Sequence, residues 1–342
     1  MRRTTSAWSG AVPFLTLLIL MICGPQATGQ TDSISVGEYT VSGPYTYRNL
    51  NVYLVHGRDQ IRGRKVMTLA EAMRRKKIRV YETGSVNELS VENISATESI
   101  LIQAGEIVKG GQQDRTLGMD LVLAPRSGRV SIAAFCVEQG RWSGRGGEST
   151  REFNSSEEQL VSRELKLAAR YHKDQGKVWT HVRRAQDKLS ENVGESVNDR
   201  KSASSLQLSL ENERLRRTVN EYAGALEGIV GRRRDVIGCV IAVNGEMSGA
   251  EIYASADLFR RSWPKLLRAA SIEAVAEEDS AWEPMVVPVA RAKEFIAPES
   301  TGTTTTESVA TGVDVVTVDR DESVAIETRS GDVAVRKSWI RK

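Results

Sequence analysis

The pattern of apolar and polar positions divides the chain into a strand-rich first part, a helical middle and a strand-rich end. Between residues 34 and 137, short runs of β-branched and aromatic residues alternate with turn residues, which is typical of strands. Apolar residues recur at helical spacing over 157–189 and 204–230, and again after Ser255 or Asp257. We therefore predict an α+β fold: a mostly antiparallel sheet or barrel-like β core packed with two or three long amphipathic helices.

Local signals place some boundaries more closely. Thr68 followed by Glu71 is a capping box, which predicts a short helix that begins at Leu69. Asn244-Gly245 between two apolar runs predicts a tight turn in a hairpin. The apolar stripes of the helical segments are interpreted as packing surfaces.

The last part of the chain changes composition after Ala297. Residues 298–312 are rich in Thr and poor in apolar side chains, so we predict a linker there. Residues 313–342 return to short Val-rich runs separated by turn residues, which predicts a small β-rich tail of three strands. The main α+β domain is expected to span residues 30–297.

The first residues predict export. Arg2 and Arg3 precede an apolar run from 11 to 22, and small residues follow at Ala27 and Gly29. This order is typical of a cleavable signal peptide over residues 1–29, with cleavage after Gly29. We expect a secreted or periplasmic protein that meets the membrane only transiently, through the signal peptide; an N-terminally membrane-anchored protein is the alternative.

Charge argues against nucleic acid as a partner. The whole chain has a formal net charge of +3, and loss of the signal peptide removes two arginines and no acids. A near-neutral chain lacks the concentrated basic stripe that nucleic acids select. The basic clusters at 74–77 and 232–234 are interpreted as solvated faces and helix ends, so the expected partner is an unknown small molecule or protein.

Cysteine and histidine usage points to no metal site and no cofactor. His56, His172 and His181 are scattered without metal-ligand spacing. Cys136 and Cys239 each lie in an apolar, strand-like run. Two interpretations stay open: both are buried free thiols, or they form a disulfide.

Two neighbouring segments hold the candidate chemistry: 105–116 and 136–142, each at the end of an apolar strand. Their glycines allow close backbone approach, and their cations suit phosphate or carboxylate. Glu106 and Glu138 are candidates for general acid/base catalysis. The candidate ligand-binding residues are Lys109, Gln112, Gln113, Asp114, Arg115, Arg141 and Trp142.

The same residues also suit a polar structural network around a demanding turn. The sequence contains neither phosphate-loop spacing nor Gly-x-Ser-x-Gly, and no histidine is recognisably placed to activate a nucleophile. Both interpretations stay open at this point.

The succession of motifs resembles a known domain family. It comprises Leu89-x-Val91-x-Asn93, Gly105-Glu106-x-x-x-Gly110-Gly111-x-Gln113-x-Arg115, Cys136-Val137-Glu138-x-Gly140-Arg141-Trp142, Gln175 to Trp179, and Trp263-Pro264-Lys265-Leu266-Leu267. It is similar to the family named for its association with ADP-ribosylglycohydrolase and rhodanese-phosphatase proteins, over roughly residues 35–290. The resemblance implies a genomic association with ADP-ribose or nucleotide-derivative processing and no established reaction.

Three functions are consistent with these observations. The first is an exported domain that binds a small anionic or glycan-like ligand at a polar site formed by the 105–116 loop and the 136–142 turn. The second is a hydrolase of a sugar or phosphoester-type bond that uses Glu106 or Glu138 as acid/base. The third is a protein-interaction module that uses the helices of residues 157–230.

Overall fold

The computed structural model describes Met1 and residues 32–36, 39–61, 63–141, 153–231, 233–279, 285–297 and 302–342. Apart from Met1, the predicted signal peptide and its cleavage site lie outside these residues. Within the described part of the chain, no helix is both long and apolar enough to cross a membrane. The same residues contain no group of three or more His, Cys, Asp or Glu side chains that could hold a metal ion.

Eighteen strands are found in the described residues. In chain order they are β1 (Asp32–Val36), β2 (Tyr39–Tyr47), β3 (Leu50–His56), β4 (Val66–Thr68), β5 (Ile78–Glu82), β6 (Glu88–Asn93), β7 (Ser99–Ile102), β8 (Glu106–Gly110), β9 (Arg115–Leu117), β10 (Leu121–Leu123), β11 (Arg129–Cys136), β12 (Phe153–Gln159), β13 (Val236–Val243), β14 (Glu246–Tyr253), β15 (Thr303–Ala310), β16 (Val313–Asp319), β17 (Ser323–Ser330) and β18 (Val333–Arg341).

Seven α-helices accompany these strands in the same residues. They are α1 (Leu69–Arg74), α2 (Arg163–Lys166), α3 (Gln175–Val193), α4 (Leu206–Leu210), α5 (Glu213–Leu226), α6 (Ala256–Ala276) and α7 (Val289–Ile296). A π-helical turn at Leu167–Tyr171 follows α2, and a 3₁₀ turn at Glu227–Ile229 follows α5.

The strands form three sheets. The largest has nine strands in the order β1-β2-β3-β13-β14-β18-β17-β16-β15, the second has six in the order β12-β8-β9-β11-β6-β5, and the third is β10-β7-β4. Of the described strand pairs, β4 with β7 is parallel and the others are antiparallel. The predicted α+β class with mostly antiparallel sheets is confirmed.

The long helices bury their apolar stripes as predicted. Apolar side chains of α3, α5 and α6 pack with Leu50 and Leu54 of the nine-stranded sheet in one large core. A second core lies between that sheet and α7, and a third joins the two smaller sheets to α1. Burial of these stripes supplies most of the stability of such helices, since isolated helices of this length are marginal in water.

The local signals are also confirmed. The Thr68 hydroxyl accepts a hydrogen bond from the Glu71 amide at 3.3 Å, and the Glu71 carboxylate accepts one from the Thr68 amide at 2.9 Å. Asn244 and Gly245 form the two-residue turn of the β13–β14 hairpin, with φ of +51° and +76°. Ser255 caps α6 by accepting a hydrogen bond from Leu258 N at 3.1 Å.

The prediction of a helical segment over 157–189 is wrong in two respects. The helical part starts later, and it is interrupted. Residues 157–159 belong to β12, which pairs with β8 at Gln159 opposite Glu106, after an irregularity in the register between Ser155 and Gln159. The chain leaves the helical conformation at Lys173, where φ is +51°, and Asp174 caps the new helix α3.

The linker predicted over 298–312 is a strand in its described central part. Residues 303–310 form β15, the edge strand of the nine-stranded sheet, which pairs with β16 while most of its side chains stay exposed. Threonine is β-branched and favours extended backbone, so a strand forms here although only Val309 and Ala310 at its end pack partly against the cores.

The three predicted tail strands are confirmed, and they continue the main sheet. β18 lies between β14 and β17. The Arg336 guanidinium on β18 reaches the fully buried Asp120 at 2.5 Å, and Thr328 Oγ1 on β17 donates to the same carboxylate at 2.8 Å. The tail therefore shares the interior of the main domain.

Cys136 and Cys239 are both buried and unbridged. Burial is the main cause that raises the pKa of the Cys136 thiol to about 11, and burial also raises the pKa of the Cys239 thiol. Both thiols therefore act as small apolar side chains rather than as nucleophiles.

Candidate functional site

Glu106 begins β8 and is buried against α6. Its Oε1 atom accepts a hydrogen bond from Lys265 Nζ at 3.0 Å, and its Oε2 atom accepts one from the Gln103 amide at 3.0 Å. The carboxylate is 1 % exposed, so the ammonium group of Lys265 compensates a charge that water does not reach.

Lys109 and Gln112 lie at the other end of β8. Lys109 Nζ is 2.7 Å from Glu211 Oε1, at the end of α4, and this pair is half-buried. The backbone N–H of Gln112 donates a hydrogen bond to Glu82 Oε1 at 3.1 Å. These contacts attach the turn after β8 to its neighbours.

Asp114, Glu138 and Arg141 form one buried charge cluster. Arg141 Nε and an Nη atom each lie 2.8 Å from Glu138 Oε2, and the guanidinium is 3.9 Å from Asp114 Oδ1. Asp114 also accepts hydrogen bonds from the Gly110 amide at 3.0 Å and from Ser205 Oγ at 3.4 Å. The cluster connects the turn after β8, the end of β11 and the start of α4.

Arg115 is fully buried on β9. Its guanidinium donates to the Val86 carbonyl, to Cys136 Sγ at 3.0 Å and to Glu82 Oε2 at 3.4 Å. Gln113, two residues earlier, is buried as well. Trp142 lies outside the described residues.

The two glutamates predicted as acid/base residues bind different partners. Glu106 begins β8 and accepts hydrogen bonds from Lys265 Nζ and from Gln103 N. Glu138 lies two residues beyond the end of β11 and pairs with Arg141. A joint role of the two carboxylates in acid/base catalysis stays a prediction.

The 105–116 and 136–142 segments are thus tied together by internal hydrogen bonds and ion pairs. Gln175 adds to them, since its side-chain amide accepts from Cys136 N at 2.8 Å and donates to Cys136 O at 2.9 Å. This arrangement favours the structural interpretation of the motifs. A direct role of these residues in binding or catalysis stays a prediction.

An open cleft of about 1080 Å³ lies beside these segments, between α1, β5, β12 and α6. We call it the basic cleft. Six cationic side chains line it: Arg74, Lys76, Arg79, Arg261, Lys265 and Arg268. Of the described carboxylates, Glu157 alone is among its lining residues, and it points to solvent beside Arg216, 3.8 Å away.

The α6 wall of the basic cleft carries cations that are held in place by carboxylates. Residues 261, 265 and 268 share one face of the helix because they follow a spacing of four and three. Arg261 lies 2.5 Å from Glu71, Lys265 pairs with Glu106, and Arg268 lies 2.6 Å from Glu158. These cations are therefore ordered and largely neutralised.

On the opposite wall, formed by the end of α1 and by β5, the positive charges are less neutralised by carboxylates. Arg74 and Lys76 are exposed, and no ion pair with either is found among the described residues. Arg79 is 61 % exposed and lies 3.8 Å from Glu92, a weak contact in water. This wall supplies the net positive charge of the basic cleft.

Sequence reasoning missed the basic cleft, although part of its signal was visible. Residues 74–77 were interpreted as a solvated helix end, which suits Arg75, since both of its terminal nitrogens bind Glu98 at 3.0 and 2.6 Å. Lys76, by contrast, ends the helix in the left-handed region with φ of +52° and lines the cleft. The helical spacing of the α6 cations was the other available signal.

Comparisons with known proteins agree with the motif resemblance. No curated protein and no solved structure matches the chain. The family model of the ARG and Rhodanese-Phosphatase-superfamily-associated Protein domain, ARPP-1, matches residues 38–341. The match includes the C-terminal strands, in keeping with their place in the main sheet, and the chain belongs to the ARPP-1 family.

Proposed function

We propose that this protein binds a small ligand with phosphate or carboxylate groups in the basic cleft. The observation that carries the proposal is the charge of the lining: six cations and one solvent-facing carboxylate among the described residues. Guanidinium and ammonium groups that converge on one cleft favour anions over neutral molecules.

The two walls of the cleft have different parts in this proposal. The ion pairs of α6 fix Arg261, Lys265 and Arg268 before a ligand arrives, so little side-chain entropy is lost on binding. The exposed cations at the end of α1 and on β5 supply the attraction, because their charge is not already neutralised.

The predicted 105–116 segment supports the cleft from the interior. Glu106 holds Lys265, and Lys265 lines the cleft. The proposal keeps the small anionic ligand expected from the sequence. It places the binding site on the surface beside the 105–116 loop rather than in that loop. A glycan-like ligand is the alternative, and a hydrolase that uses Glu106 or Glu138 and an interaction module of the 157–230 helices stay predictions without a specific observation in their favour.

We also propose that the protein is exported after cleavage behind Gly29. The support is the basic, apolar and small order of residues at the start of the chain. Mass spectrometry of the protein from the extracellular or periplasmic fraction tests this proposal. An N-terminus at Gln30 is expected, and an intact Met1 in a cytoplasmic fraction would contradict it.

Calorimetric titration of the purified protein with inorganic pyrophosphate tests the ligand class. We expect binding that weakens strongly between about 0.05 M and about 0.5 M salt, because the attracting cations are solvent-exposed. Lys76→Gln should weaken pyrophosphate binding by about tenfold, because it removes one hydrogen bond between charged groups.

Arg75→Gln is the matched control for this experiment. It removes the same charge one residue away, from a side chain that binds Glu98 outside the cleft lining. Equal weakening by both variants would show that net charge alone matters and would refute a site in the cleft. Binding of a neutral disaccharide without binding of pyrophosphate would favour the glycan-like alternative.

A further inference from the structure

Ser42, His56 and Asp235 form a continuous hydrogen-bonded row at one end of the nine-stranded sheet. Ser42 Oγ lies 2.7 Å from His56 Nε2, and His56 Nδ1 lies 2.9 Å from Asp235 Oδ2. Ser42 is on β2, His56 ends β3 and Asp235 directly precedes β13. The row lies outside the basic cleft, since its three residues are not among the cleft lining.

These contacts have the order that activates a serine hydroxyl. A histidine that donates its Nδ1 proton to a carboxylate leaves Nε2 free to accept the hydroxyl proton, so the tautomer is set by Asp235. Burial raises the pKa of Asp235, but the hydrogen bond from His56 and further contacts outweigh it and lower the pKa overall. The carboxylate is therefore ionised at neutral pH and can accept the His56 Nδ1 proton in a hydrogen bond.

The local backbone holds the three residues in this row. Ser42 pairs with Leu54 across the β2–β3 ladder, which makes it a diagonal neighbour of His56 on the same face. The Gly57 amide donates a 2.8 Å hydrogen bond to the Asp235 carbonyl, which fixes Asp235 beside the end of β3.

Both strand ladders are irregular at this point. The β2–β3 register shifts directly after Ser42, and the β13–β3 register shifts directly after Val236, which opposes His56. Gly43, next to Ser42, has φ of +122°, and a Cβ atom there would lie 3.0 Å from the Val52 carbonyl oxygen. Bulges redirect side chains and are frequent beside active sites.

We propose that Ser42, His56 and Asp235 constitute an acyl-transfer centre that cleaves small esters. Ser42 is the nucleophile, His56 is the general base, and Asp235 is a positioning residue. Ser42 is 6 % exposed, whereas the side chain of Asp235 is 64 % exposed. A nucleophile with so little open surface accepts a short acyl group rather than a long chain or a protein, and this limits the substrate class to short-chain esters.

The reaction proceeds in two balanced steps. Ser42 Oγ bonds to the ester carbonyl carbon while its proton passes to His56 Nε2; the carbon–oxygen bond to the alcohol breaks, and the alcohol leaves with the His56 proton. Water then attacks the acyl-serine and gives its proton to His56. The carboxylic acid is released, and the proton on His56 returns to Ser42 Oγ.

A fluorophosphonate probe tests the proposal, because it phosphonylates an activated serine with loss of fluoride. We expect stoichiometric labelling of Ser42 in the folded protein, identified by peptide mass spectrometry and abolished in Ser42→Ala. The rate should fall at least about 100-fold in His56→Gln, which removes the general base. Asp235→Asn should slow labelling, whereas Asp235→Glu should label at most of the wild-type rate. A merely structural role of Asp235 would not predict this recovery.

Ser248 provides the matched control. Its buried hydroxyl donates to Glu273 at 2.6 Å without a histidine between them, so Ser248→Ala should label at the wild-type rate. Labelling of Ser42 that is unchanged in His56→Gln would overturn the proposal. The proposal would also be overturned if the folded wild-type protein is not labelled and His56→Gln lowers the melting temperature. The row would then only hold the strands together.

Discussion

Lys265 on α6 donates a 3.0 Å hydrogen bond to the buried carboxylate of Glu106 on β8. The pair joins the family motif around residue 106 to the wall of the basic cleft. A residue predicted from sequence as a catalytic acid thus has a described role in positioning a cation at a neighbouring surface.

Removal of this carboxylate is expected to destabilise the fold. Glu106→Gln keeps the shape but leaves the Lys265 ammonium group, whose side chain is 13 % exposed, without its compensating charge. We expect a loss of about 3 kcal/mol in the free energy of unfolding, measured by urea denaturation. The double variant Glu106→Gln/Lys265→Met should recover part of this loss; a single variant as stable as the wild type would contradict the account.

The ion network around Asp120 should make stability depend on pH in the acid range. Burial opposes ionisation of Asp120, but Arg336 and Arg170, with hydrogen bonds from Ala104 N and Thr328, outweigh it and lower the pKa. Because the folded-state pKa lies below the unfolded value of about 3.9, this stabilisation is present above about pH 4 and is lost as the pH falls below it.

The variant Asp120→Asn isolates that contribution. It should be less stable than the wild type at neutral pH, and the difference should shrink between about pH 4 and about pH 2. Unfolding free energies at a series of pH values give this comparison. Parallel curves for the two proteins over that range would show that Asp120 does not carry the effect.

Both thiols of the folded domain should be unreactive. Cys136 has a pKa of about 11, chiefly through burial, and Cys239 is buried in β13. Alkylation at about pH 8 should modify neither cysteine in the native protein and both in denaturant without reductant. A Cys136–Cys239 disulfide would instead block both sites in denaturant.

The C-terminal strands should be indispensable for folding. Deletion of residues 298–342 removes β18 from beside β14 and takes Arg336 away from Asp120 and Glu251. We expect the shortened chain to be insoluble or to lack a cooperative unfolding transition in calorimetry. A truncated protein with the wild-type melting temperature would mean that the tail is an independent appendage.

The sequence predicted those features that depend on neighbouring residues. The Thr68 capping box, the Asn244-Gly245 turn and the Ser255 cap each require only a few adjacent positions, and all three are present. The strand at 303–310 was missed because the prediction relied on low hydrophobicity, whereas the extended preference of threonine and a free sheet edge determined the outcome.

The candidate site was harder to predict because it depends on contacts between distant segments. Arg261 and Glu71, which meet at the basic cleft, are 190 residues apart. His56 is 14 residues from Ser42 but 179 from Asp235, so no local motif indicates that row. Most polar residues of 105–116 are buried and paired, and burial, which a single sequence does not show, determines which contacts they make.

A structure of the protein with bound pyrophosphate is the most direct test of ligand binding in the basic cleft. We expect an anion between the two walls of the basic cleft, within hydrogen-bond distance of Lys76 or Arg79 on one side and of Lys265 on the other. Arg75 should keep its contact with Glu98. A pyrophosphate bound only outside the cleft, or a cleft that stays empty at saturating concentration, would contradict the proposed function.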